Sequence, residues 1–113
     1  MIVYNKLVRD KIPQIIEDKG KHCEVKVLNH NEYLDTLRVK LQEELDEYKT
    51  ASEEEDVAEL ADLVEVVYTI LKHKGVSIEQ FERVRLKKRE ERGGFDEKLL
   101  LVKVWGKEET QNG

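Results

Sequence analysis

A mainly α-helical domain carrying a small two-strand β appendage is what this chain predicts, on three observations. Leu, Ile and Val recur at steps of three and four through residues 34–48 and 57–71. Breaks fall where those runs stop, at Thr50–Ser52, at Gly75 and at the pair Gly93–Gly94. Alternation of period two is confined to two short stretches, which caps the strand content at a ribbon.

The elements follow in order. In "RDKIPQIIEDKG", Asp10 is placed to cap a helix of about two to three turns whose first turn tolerates Pro13, and Gly20 stands where a left-handed stop is expected. "HCEVKVL" sets Cys23, Val25 and Val27 against Glu24 and Lys26, the pattern of a half-buried strand, and "KLLLVKVW" at 98–105 is its expected partner because a lone strand has none. Between them a helix starting at Asn31 carries Leu34, Leu37, Leu41, Leu45 and Tyr48, and stops after Lys49. Ser52 with Glu55 matches a capping box for the next helix, which runs through Val57, Leu60, Leu63, Val64, Val67, Ile70 and Leu71 to Gly75. Ser77 with Gln80 repeats the signal for a last helix that reaches about Arg92.

With 113 residues the chain has room for one domain, expected over 1–106, with "KEETQNG" at 107–113 as a frayed tail. Charged residues make up 40% and aromatics 6%, a composition that would suggest disorder were the apolar residues not so regularly spaced. A net charge of -5 argues against a nucleic-acid partner, since phosphate backbones attract basic surfaces. No apolar run is long enough to cross a bilayer and no secretory leader begins at Met1, so no membrane partner and a cytoplasmic location are expected. Cys23 is the sole cysteine, which excludes an intrachain disulfide, and the three histidines share no metal-type spacing. Trp105, Phe95, Tyr48 and Tyr68 default to packing roles.

"KLQEELDEYK" (40–49) crowds Glu43, Glu44, Asp46 and Glu47 into five consecutive positions, where like charges should loosen a helix. At 100° per residue, Glu44 and Glu47 fall along one border of the leucine stripe, whereas Glu43 points nearly opposite it. Glu59 and Asp62 interrupt "VAELADLVEVVYTIL", a segment apolar around more than half its circumference, and an unpaired carboxylate there costs several kcal/mol. Folding the two helices back through Thr50–Ser52 sets the pairs Glu44/Glu47 and Glu59/Asp62 at similar height. Four converging carboxylates repel unless a cation lies among them. All-oxygen ligation selects a hard ion, Mg2+ first and Mn2+ second.

"EELDE" (43–47) followed by "ELAD" (59–62) resembles the E-E-x-x-E…E-x-x-D signature of the all-α MazG-like nucleoside triphosphate pyrophosphohydrolases. "YNKLVRDKIPQII" and "KKREERGGF" are similar to a small branch of predicted house-cleaning enzymes acting on noncanonical nucleotides. The resemblance extends from Tyr4 to about Leu101. It implies a helical bundle that binds a metal through Glu44, Glu47, Glu59 and Asp62, with Glu43 as the leading glutamate of the signature. It implies hydrolysis of an NTP or dNTP between the α and β phosphates to a monophosphate and pyrophosphate, with Glu43 or Glu44 taking the proton of the attacking water. Charge and motif suggest Lys6, Arg9 and Lys11 near one end, and Lys88, Arg89, Arg92 and Lys98 near the other, as phosphate contacts.

Plainer readings stand beside these. The acids of 43–47 can form a solvated face paired with Lys40 and Lys49, Lys6 to Lys11 can decorate a helix entry, and "KKREER" can be a salt-bridged surface. Two other functions are carried: phosphoribosyl-ATP pyrophosphohydrolysis on a similar scaffold, and a non-catalytic acidic helical module that binds a basic partner. A homodimer or larger homo-oligomer is expected, because a helix as apolar as 57–71 needs more cover than one short partner provides.

Overall fold

The computed structural model describes residues 1–106 and contains four helices in this span: α1 (Ile12–Asp18), α2 (His30–Thr50), α3 (Asp56–His73) and α4 (Ile78–Arg92). The chain forms two compact units, Met1–Ile78 and a second that begins at Glu79. The expected tail at 107–113 lies outside the described residues. No described helix is long and apolar enough to cross a membrane.

In the first unit α2 and α3 form the expected hairpin, the packed helix pair of the fold. Leu37 of α2 and Val66 of α3 are its buried apolar side chains, 2% and 8% exposed. Burying a side chain of that size stabilises by about 1.5–3 kcal/mol. Val57, Leu60 and Val64 on α3, and Leu45 and Tyr48 on α2, stay exposed, so one chain leaves much of the apolar surface of its hairpin wet.

Helix ends explain where the elements stop. Asn29 caps α2: its side chain accepts from the N–H of Glu32 at 2.9 Å, and the Glu32 carboxylate accepts from the N–H of Asn29 at 3.3 Å. The helix therefore begins one residue before the expected Asn31, and a reciprocal pair of bonds holds it there. Gly75, at φ +75°, closes α3: its N–H bonds the Lys72 carbonyl at 3.0 Å while that of Val76 bonds Leu71 at 2.9 Å. That two-bond arrangement needs a left-handed residue, which glycine supplies without steric cost.

Three expectations are corrected. Ser52 and Glu55 form no capping box: the Ser52 carbonyl accepts from the N–H groups of Glu55 and Asp56 at 3.0 Å, a turn that delays α3 to Asp56. Asp10 does not cap α1, whose N-cap is Lys11 with no side-chain bond. The β appendage is absent among the described residues, for neither 22–28 nor 98–105 is a strand. Val25, Val27, Leu99, Leu101 and Val104 are exposed, and alternation alone makes no strand where no neighbouring backbone completes the ladder.

In the second unit α4 is densely charged, leaves Val84 and Leu86 exposed, and is supported along its own surface. Arg85 grips Glu82 at 2.7 Å and Lys87 reaches Glu91 at 4.0 Å. Gly93, at φ +84°, ends it with a 2.7 Å bond from its N–H to the Arg89 carbonyl.

Candidate metal and phosphate site

The acids predicted to converge do so in part. Ligand oxygens of Glu44, Glu59 and Asp62 lie within 4.8 Å of one another, brought together because α2 and α3 run antiparallel with Glu44 near the end of one and Glu59 near the start of the other. Glu44 is 5% exposed. One oxygen each of Glu44 and Glu59 is buried with no hydrogen-bond partner. Buried carboxylate oxygens without a donor are costly, and two of them facing a third acid form a donor set that fits a hard cation.

Glu47 is exposed and stands outside this trio. At 100° per residue it lies about 60° farther from the leucine stripe than Glu44, enough to turn it from the groove toward solvent. Its charge still reaches Glu44. The Glu44 carboxyl is raised above its ordinary value, first by burial, then by the charges of Glu47 and Asp62, against the lowering effect of Lys40. Glu43, expected on the solvated side, is only half-buried, since Lys40 draws it in: the ammonium lies 3.4 Å from Glu43 and 3.3 Å from Glu44. Lys40 thus supplies the cluster with one intrinsic positive charge.

The N-terminal segment delivers a second. Arg9 donates to Asp62 at 2.6 Å, a pairing across 53 residues that the sequence alone did not disclose. Lys6 and Lys11 are exposed, Lys6 lying 5.8 Å from the ring centre of Tyr4. In the second unit Lys88, Arg89 and Arg92 line a cleft of about 600 Å3 together with Gly93, Gly94 and Phe95. Lys98 is not part of that lining and adopts a left-handed backbone, φ +62°. The cleft joins cations to glycine backbone, a surface able to take an anionic group.

The histidines, read from sequence as separate boundary residues, are not all separate. His30 at the start of α2 stacks on His73 at the end of α3, ring centres 4.3 Å apart, and Tyr33 meets His73 edge-on at 5.2 Å. The hairpin register could have found this contact, because folding helices of 21 and 18 residues about a short turn sets the first residue of one beside the last of the other.

Comparison with curated proteins gives no significant match, and comparison with solved structures gives none either. Among protein families, residues 10–89 match the one described as phosphoribosyl-ATP pyrophosphohydrolase, a span that holds α1, α2, α3 and every acid of the carboxylate site. Its members are hydrolases acting on a phosphoanhydride bond and fall within the MazG-like all-α superfamily that the acidic signature resembles. With a mainly helical fold, a carboxylate trio of which Glu44 is buried and Glu59 and Asp62 are half-buried, and a match across most of its length, the chain belongs to the phosphoribosyl-ATP pyrophosphohydrolase family.

Proposed function

We propose that the chain hydrolyses nucleoside and deoxynucleoside triphosphates, noncanonical ones among them, between the α and β phosphates, with Mg2+ as cofactor and Mn2+ as its substitute. The observation that carries this is the pair of buried, unbonded oxygens on Glu44 and Glu59 beside Asp62. Glu44, Glu59 and Asp62 would hold the ion, and Glu47, one turn on from Glu44 and facing solvent, would complete the set by swinging its side chain inward. A hard dication bound there neutralises phosphate charge and acidifies a water.

The chain's own groups do the rest. Glu43 takes the proton of the attacking water, Glu44 being the other candidate for that role. Arg9, already at the acid cluster, exchanges Asp62 for a phosphate oxygen, and Lys6 and Lys11 extend the positive charge along the same segment. Lys88, Arg89, Arg92 and Lys98 are the second unit's own phosphate-binding candidates. A second copy of the chain covers the exposed apolar residues Val57, Leu60 and Val64, making a homodimer or larger homo-oligomer.

A second reading, hydrolysis of phosphoribosyl-ATP, is favoured by the family match. A pyrophosphate-release assay over canonical and damaged NTPs, with phosphoribosyl-ATP alongside and with and without Mg2+, separates the two. Turnover of the NTP panel at rates above phosphoribosyl-ATP supports the first reading, and the reverse order supports the second. No Mg2+-dependent pyrophosphate from any of them refutes both, and leaves the acidic helices as a binding module.

A further inference from the structure

The carboxylate site leaves unused a cleft of about 930 Å3 in the first unit, walled by Tyr33, Glu65, Tyr68, Thr69, Lys72 and His73. Three observations tie it to the acids. First, its wall continues their row on α3: Asp62, Glu65, Thr69 and Lys72 follow at steps of three and four and fall within about 80° of one another around the helix. From Asp62 to Lys72 the rise is about 15 Å, a distance suited to phosphates at one end and a base at the other. Second, the N-terminal segment serves both places, Arg9 bonding Asp62 while its neighbour Asp10 lines the cleft. Third, the Nε2 atom of His73 is buried without a hydrogen-bond partner, in a wall formed with Tyr33 and overlaid by the His30 ring. A buried polar atom left so calls for a partner, which a base seated in the cleft would supply.

We propose that this cleft holds the nucleoside half of the substrate whose phosphates rest on Glu44, Glu59 and Asp62, an inference that builds on the triphosphate reading above. Tyr33 and Tyr68 supply rings for a base to stack on. Glu65 and Lys72 select its edge. An ionised glutamate only accepts and a lysine only donates. Lys72 lies about two turns farther from Asp62 than Glu65 does, so the base atom remotest from the phosphates meets the donor. In uracil, guanine and hypoxanthine that atom is a carbonyl oxygen with a ring N–H beside it for Glu65. In adenine and cytosine it is an amino group, which would confront the ammonium. The cleft therefore favours keto bases.

The test pairs turnover with binding. For the full-length protein with Mg2+, kcat/KM for inosine triphosphate should exceed that for ATP by about tenfold or more, the effect of one hydrogen bond to a charged group. Lys72→Met should raise KM for inosine triphosphate by about tenfold, leave its kcat within about twofold, and leave KM for ATP unchanged or lower it, since the clash with its amino group is removed. Lys72 is exposed, so the variant should melt with the parent protein. Separately, free inosine should shift the amide resonances of Thr69 and Lys72 in the parent protein. Triphosphate turnover without any response to inosine in the cleft, or a Lys72→Met loss shared equally by inosine triphosphate and ATP, overturns the proposal. Inosine binding in the cleft without turnover of any triphosphate supports the cleft assignment and sinks the triphosphate reading instead.

Discussion

Replacing Glu44 with glutamine should stabilise the metal-free protein and destabilise it relative to the parent once Mg2+ is present. Glu44 is 5% exposed, and one of its oxygens is buried without a donor, as is one oxygen of Glu59. An uncompensated buried polar atom costs about 1–3 kcal/mol. The amide of a glutamine at this position can donate to Glu59, which satisfies the second orphan, while Lys40 keeps Glu43 at 3.4 Å. A net gain of about 1 kcal/mol raises Tm by about 4 °C in a chain of this size. With Mg2+ at a hundred times its Kd, the parent gains about 2.7 kcal/mol by linkage, whereas the variant has lost a ligand and gains little. The order of melting temperatures therefore reverses between chelator and Mg2+. The pH dependence has a definite sign. A carboxyl whose folded pKa is raised gives stability that is full below its unfolded value near 4.5 and lost as pH rises through the folded value. The metal-free parent should lose stability over that interval and Glu44→Gln should lose less. Thermal melts in chelator and in saturating Mg2+, repeated from pH 4 to 8, decide the matter. A variant that melts below the parent in chelator, or one that Mg2+ raises as much as the parent, would refute the reasoning.

Other consequences are equally open to measurement. Glu59→Gln and Asp62→Asn should each abolish Mg2+-dependent pyrophosphate release while leaving the far-UV circular dichroism unchanged. The second variant loses only a partly exposed ion pair with Arg9, worth about 0–1 kcal/mol, so its melting temperature should move little. Light scattering should return a mass of at least two chains, and Leu60→Glu, at a residue 39% exposed on α3, should reduce it toward one; a monodisperse parent monomer contradicts the assembly. Gly75→Ala forces a side chain into φ +75° and should cost about 1 kcal/mol or more, seen as a Tm lower by several degrees, although open space surrounds the added carbon.

The hairpin was legible because its signal is redundant. Leu34, Leu37, Leu41 and Leu45 state the same period several times over, and Glu59 and Asp62 stand out against an apolar segment that cannot tolerate them unpaired. Glu44 followed from the same geometry. Glu47 shows its limit, since a helical wheel gives an angle but not the depth of the groove that the angle must reach, and this side chain stays outside. The strands at 22–28 and 98–105 were misread for a related reason. Alternation reports which side chains could share a face, whereas a strand exists only through hydrogen bonds to a neighbour that no local pattern specifies. Ser52 is no cap because its carbonyl accepts from the N–H groups of Glu55 and Asp56 in a turn, and α3 begins only at Asp56. Arg9 with Asp62, and His30 with His73, are pairings between distant residues, visible only when the helices have been placed side by side.

Lys40 gives the acid cluster a tenant that cannot leave. Its ammonium sits against Glu43 and Glu44 one turn away on the same helix, so dilution, dialysis or a chelator that strips every free ion still leaves that charge in position. With no dication bound the hairpin is spared the full mutual repulsion of its carboxylates. The same arrangement would make an arriving ion contend with a tethered rival for Glu44, so this lysine would help to set how tightly a metal is held.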